Sequence, residues 1–233
     1  MPAMEHSHVD PQWPRLISLA VHEFRTPMTV VAGYVRMLLK DRAGPVTEQQ
    51  RRLLEEAEKS CARLSALLAE LSEVGAFEKG IATFNRSSID LRAVLRESAA
   101  ALPAMTDREI ELDVVLADGA APIQGDPVRL KSAFVSLLHG LRREIVANPK
   151  LLVRETVRRD GGRATSWIAI ADEEQIDALR SVTEDALTGF DEFRGGCGLS
   201  LAIARRIIEG HGGALWSPSS GEKAAAVVTI PLQ

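Results

Sequence analysis

Residues 54–71, LEEAEKSCARLSALLAEL, place apolar side chains at Leu54, Ala57, Cys61, Leu64, Leu68 and Leu71, a 3-4-3-4-3 spacing. That period suits the seam of a coiled coil or a four-helix bundle. Working backward, Thr47 is the expected N-cap of this arm, and Gly75 marks its expected end. Upstream, everything from Leu16 onward fits helix except Arg42-Ala43-Gly44-Pro45, whose Gly-Pro pair signals a turn. Leu16 to Val74 therefore reads as a helical hairpin. Two helices alone cannot bury both seams, so a homodimer that doubles the hairpin into a four-helix bundle is the expected assembly.

Beyond Gly80 the hydrophobic period changes. Asp90 to Ala101 reads as a helix, and Ile110, Leu112 and Val114 alternate as a strand. Asp126 followed by Pro127 is a cap and a first-turn proline, opening a helix that turns Leu130, Phe134, Leu137, Leu138, Leu141 and Ile145 inward. Val153 to Val157, the Asp160-Gly161-Gly162 turn and Trp167 to Ala171 form an expected hairpin. A helix from Leu199 to Glu209 and strands at Ala214 to Trp216 and Ala224 to Ile230 close the chain. Helices mixed with antiparallel strands predict an α+β two-layer sandwich, one sheet with helices on one face.

The chain has 233 residues, 45% hydrophobic and 26% charged, which is ample for a core and for one or two domains. The expected division is a flexible 1–14, a helical 15–80 and a mixed 81–233. A formal net charge of -4 argues against nucleic acid as a partner. Cys61 and Cys197 stand alone and far apart, which excludes a disulfide scaffold, and no metal site is expected. No apolar run is long enough for a membrane span and the N-terminus lacks a basic-then-apolar leader, so a cytoplasmic protein is expected.

On the first helix, Arg15, Ser18, Arg25, Thr26 and Thr29 lie three, four or seven residues from His22 and share its face. The imidazole is thus expected in solvent, opposite a core stripe of Leu16, Ala20, Pro27, Val30, Val31, Tyr34 and Leu38. Pro27 removes the amide that would bond the Glu23 carbonyl, bending the helix beside His22. The string His22-Glu23-Phe24-Arg25-Thr26-Pro27 resembles the phosphoacceptor box of bacterial sensor histidine kinases. The hairpin around it, with Gly44-Pro45-Val46-Thr47 and the leucine seam, is similar to that family's dimerisation and histidine-phosphotransfer domain. The resemblance implies that His22 carries a phosphoryl group, that Glu23 acts as general base on the other ring nitrogen, and that Thr26 orients a water to dephosphorylate a partner's phospho-aspartate.

The second domain resembles the same family's catalytic ATP-binding domain, of the kind shared with gyrase and the chaperone Hsp90. The residues that carry this are Gly125-Asp126-Pro127-Val128-Arg129-Leu130, Asp172 after an apolar strand, Phe190-Asp191-Glu192-Phe193, Gly196-Cys197-Gly198-Leu199-Ser200-Leu201, and the tail from Ile207 to Gly213. The resemblance implies a nucleotide site built from Asp172, Arg143, Gly196 and Gly198, with ATP and Mg2+ as cofactors. The departures fall on that chemistry. Gly140 stands where the family has a magnesium-holding asparagine, Glu174 and Ile176 replace glycines of the first glycine box, and Arg194 runs straight into Gly195-Gly196, cropping the lid.

The expected function is a two-component, histidine kinase-like protein. It would exchange a phosphoryl group between His22 and an aspartate on a response-regulator receiver domain. Two versions stand: an autokinase that uses ATP and Mg2+, and an ATP-independent phosphotransferase that uses neither, supplied by an upstream sensor kinase. The rival class is a pseudokinase binding module that pairs with or sequesters a kinase without phosphotransfer.

Overall fold

The computed structural model describes residues 12–103, 105, 109–145, 149–192, 197–219 and 224–233. The chain divides into two compact units, with the break between Ala82 and Thr83.

The first unit is a hairpin of α1 (Trp13–Leu39) and α2 (Glu48–Glu78). Thr47 starts α2 with a complete capping box: its hydroxyl accepts from the Gln50 amide at 3.3 Å, and the Gln50 side chain accepts from the Thr47 amide at 2.8 Å. In the turn, Asp41 and Gly44 take positive φ values of 54° and 108°. The Arg51 guanidinium closes the turn, donating to both Asp41 carboxylate oxygens at 3.0 Å and to the Leu39 carbonyl at 2.9 Å. That last bond satisfies one carbonyl orphaned by the end of α1.

Two expectations for this unit need correcting. α1 turns Pro14, Ile17, Val21, Ala32 and Val35 inward, while Leu16, Val30, Val31 and Tyr34 are 55%, 48%, 49% and 63% exposed. The helix carries two apolar stripes, one on each side of the His22 face. α2 covers one of them, and among the described residues the other is bare. Gly75, for its part, does not end α2, which continues for three more residues. It lies buried against α1, where an added Cβ would stand 3.1 Å from Ile17 Cγ2. Glycine is there for close approach of the two helices.

The second unit is an α+β two-layer sandwich. Its six-stranded sheet runs β2 (Glu111–Val115), β4 (Lys150–Asp160), β5 (Arg163–Ala171), β8 (Ala226–Pro231), β7 (Ala214–Pro218), β6 (Leu187–Gly189). β4 and β5 are joined by Gly161-Gly162, whose φ values of 55° and 83° suit a two-residue hairpin turn. The β2–β4 pair is parallel, against the expectation of antiparallel strands throughout. Its cause is α4 (Pro127–Glu144), which lies between the two strands in the chain and makes the crossover. β1 (Ser87–Asp90) and β3 (Pro122–Gly125) form a separate two-stranded sheet that the sequence did not reveal.

α3 (Leu91–Ala100), α4 and α6 (Ser200–Gly210) pack side by side as the helical layer. α4 turns Leu130, Phe134, Leu137, Leu138 and Leu141 into the core, each at most 2% exposed, worth roughly 1.5–3 kcal/mol apiece. The opposite sheet face is covered too. There the short helix α5 (Ile176–Ser181) lays Ile176 and Leu179 on Leu152, Trp167, Ala169, Ala171 and Val227. The Trp167 indole N–H donates to the Leu179 carbonyl at 3.0 Å, tying α5 to the strand.

Candidate functional site

His22 lies in the middle of α1 with its side chain 75% exposed, and the adjacent Glu23 is 71% exposed. His22 Nδ1 is 3.4 Å from Glu23 Oε1, a long contact. A carboxylate can only accept, so the contact calls for the proton on Nδ1 and leaves the Nε2 lone pair in solvent. Pro27 withholds the amide that would bond the Glu23 carbonyl, and Thr29 Oγ1 donates to the Arg25 carbonyl at 2.8 Å in the same stretch. Thr26 is exposed one turn from His22. The local sequence thus puts an imidazole, a carboxylate and a hydroxyl together on one wet helix face.

The residues assigned to a nucleotide lie in the second unit. Asp172 follows β5, and its Oδ1 accepts from the amides of Glu174 at 3.1 Å and Gln175 at 3.2 Å. The carboxylate is therefore engaged in an Asx-type turn that precedes α5. Of the two side chains that replace glycines, Ile176 is buried in the α5 cluster and Glu174 is exposed. Arg143 is exposed in the last turn of α4, and Gly198, with φ 64°, precedes α6. Gly196, Phe193 and the shortened lid at Arg194-Gly195 lie outside the described residues.

Gly140 is the buried contact point of α4 with α6. A Cβ there would meet Leu201 Cδ2 at 3.1 Å, Leu201 Cδ1 at 3.3 Å and Cys197 Sγ at 3.4 Å. Below this, α6 is anchored through Glu192, which receives Arg205 at 3.3 Å and Arg206 at 3.2 Å. At the other end of α6, His211 Nδ1 is 2.7 Å from the Ile207 carbonyl, and His211 Nε2 accepts from the Asp126 amide at 2.9 Å. Burial pushes the His211 pKa down, partly countered by the Ile207 carbonyl. Burial would raise the Asp126 carboxyl, but bonds from the amides of Arg129, Asn85 and Val128 outweigh it and hold the group below the usual carboxylate range.

Residues 14–80 match the His Kinase A (phospho-acceptor) domain family. The chain is 28% identical over 221 residues to the circadian input-output histidine kinase CikA of Synechococcus elongatus, covering 91% of this chain and 29% of that protein. It is 28% identical over 229 residues to the adaptive-response sensory kinase SasA of Parasynechococcus marenigrum, covering 94% and 56%. The crystal structure of full-length ShkA in complex with AMPPNP has the same fold, with a TM-score of 0.68 at 23% identity over 94% of this chain and 46% of that one. Residues 14–80 thus form a histidine kinase phospho-acceptor domain, and the chain as a whole is similar to two-component histidine kinases.

The chain spans between about a quarter and a little over half of the relatives it matches, 24% for the sensor protein GacS of Pseudomonas syringae and 56% for SasA. Nothing in these likenesses supports the binding-module alternative. Among the described residues no helix is long and apolar enough to cross a membrane. Magnesium with its nucleotide is a different matter. The ion demands oxygen ligands in near-octahedral geometry, and position 140 offers no oxygen, while a side chain added there would crowd Leu201 and Cys197. The α4 position that the resemblance gives to a magnesium-holding asparagine therefore carries no ligand in this chain. Sequence reasoning found the missing ligand at Gly140 but not the two side chains that fill its place, because nothing local links residue 140 to residues 197 and 201.

Proposed function

We propose that this chain works as a phosphoryl carrier, with His22 as the phosphoacceptor and a response-regulator receiver domain as donor and acceptor. The observation that carries the reading is the His22–Glu23 contact on an exposed helix face. Nε2 attacks the phosphorus of a receiver's phospho-aspartate, the N–P bond forms, and the P–O bond breaks with the aspartate carboxylate leaving. Glu23 takes the Nδ1 proton as the ring becomes positively charged, and transfer to a receiver runs the same step in reverse. Thr26 supports the dephosphorylating activity, its hydroxyl orienting a water one turn from Nε2.

The bare apolar stripe of α1 supports a homodimer with a four-helix bundle, since burying it needs a second hairpin. An upstream sensor kinase is the proposed ultimate source of phosphate, because the Gly140 contact speaks against a magnesium nucleotide in this chain. A carrier that exchanges phosphate with receiver domains works in the cytoplasm.

The test is radiolabel transfer. Receiver domains pre-phosphorylated with labelled acetyl phosphate should label the chain at His22, and labelled ATP with magnesium should not. His22→Ala should abolish labelling while changing stability by less than about 0.5 kcal/mol, as expected for so exposed a side chain. A chain that neither donor labels at His22 would refute the proposal.

A further inference from the structure

We infer that Lys79 is the charge partner of a phosphoryl group on His22, an inference that rests on the phosphoacceptor reading above. α1 and α2 are closest where the Gly75 backbone lies against Ile17. One turn further along, Lys79 is the C-cap residue of α2, and its ammonium reaches back to α1, donating to Ser18 Oγ at 2.5 Å. Among the described residues no carboxylate pairs with Lys79.

Ser18 precedes His22 by four residues, so it lies about 6 Å away along the axis on the same exposed face. Helical Cα–Cβ bonds tilt toward the N-terminus, so the His22 side chain leans over the turn that holds Ser18. With Nδ1 beside Glu23 at 3.4 Å, Nε2 is the nitrogen that takes phosphorus. A phosphoryl group there extends toward the Ser18 hydroxyl and the Lys79 ammonium. Arg15 and Arg25 on α1 share this face, and Glu23 is the acid that faces them. Lys79 differs from those cations in coming from the other arm, so hairpin closure and not the α1 sequence delivers it. A lysine suits this role, because its compact charge sits on a flexible four-carbon stem that can leave a neutral hydroxyl for a dianion.

A single cation about 6 Å from the phosphoryl group favours its dianion by about half a pKa unit in an aqueous dielectric. The full chain is phosphorylated with phosphoramidate, which gives its phosphoryl group to Nε2 with ammonia as the leaving group, and the phosphorus NMR signal of phospho-His22 is titrated across neutral pH. Lys79→Met should raise the phosphoryl pKa by about half a unit, Lys79→Arg should restore it, and Ser18→Ala should leave it near the wild-type value. A lysine that only closed the end of α2 would leave all three titrations alike. Identical titration of the wild-type and Lys79→Met chains overturns the inference while leaving His22 the phosphoacceptor. Failure of phosphoramidate to modify His22 overturns both.

Discussion

Gly140 shows how one missing side chain can be read in two ways. In the sequence it is an absent oxygen ligand; in the fold it is a contact, with Leu201 and Cys197 filling the space beyond its Cα. The Gly140→Asn variant therefore should not restore a magnesium site. It should overpack the α4–α6 interface and lower stability by about 1–3 kcal/mol in urea denaturation, with no magnesium-dependent ATP binding by calorimetry. Gain of such binding at unchanged stability would mean that Leu201 yields readily and that a latent site persists. His22 is the opposite case. Its exposure was legible because Arg15, Ser18, Arg25, Thr26 and Thr29 share its face at helical spacing.

α1 as an element shows the limit of that same argument. Helical spacing recognises a wet face and apolar residues around it, but it does not say which of two apolar stripes meets the partner arm. α2 covers Ile17, Val21 and Val35, and among the described residues the stripe through Leu16, Val31 and Tyr34 remains bare. The two stripes should respond differently to the same charge. Tyr34→Glu should keep its helical circular dichroism but sediment as a monomer, since it changes only the face that awaits a second hairpin. Val35→Glu should cost about 3 kcal/mol or more by burying a carboxylate between α1 and α2. A Tyr34→Glu protein that remains dimeric would show that the bare stripe is not the interface. Short elements escaped the sequence for a related reason: in the three residues of β6 and the six of α5, periodicity cannot separate strand from helix.

Across the second unit, the strands, the helical layer and the two ends of α6 are tied by buried polar groups whose protonation sets a pH dependence. His211 accepts the Asp126 amide on Nε2 and carries its proton on Nδ1 beside the Ile207 carbonyl, with the Phe84 ring edge-on at a centroid distance of 4.9 Å. Burial, Arg86 and Arg129 all favour the neutral ring, against the Ile207 carbonyl and Asp126. A folded-state pKa below the unfolded value of about 6.5 means that the unfolded chain binds the proton first. The contribution is thus complete above that pH and declines as pH falls toward the depressed folded value. Asp126 is held below the usual carboxylate range and stays ionised in this window. His139, depressed by burial, Arg142 and Arg143, adds to the wild-type slope. The difference between wild type and His211→Gln in denaturation at neutral and mildly acidic pH isolates His211: the variant should be less stable at neutral pH and lose less on acidification. Equal slopes would show that the ring is protonated at no cost to the fold.

Local chemistry in the chain was enough for the hairpin, the Thr47 cap, the Asp126-Pro127 helix start, the Gly161-Gly162 turn and the exposed face of His22. Each of these depends on residues within a turn or two of one another, where spacing is itself the physical signal. The three-dimensional packing alone decided that Gly75 separates two helices instead of ending one, that β2 and β4 run parallel, that Leu201 takes the space beside Gly140, and that Lys79 arrives one turn from His22. These are contacts between segments far apart in the chain, set by which surfaces close on each other, and no pattern within a single segment encodes them.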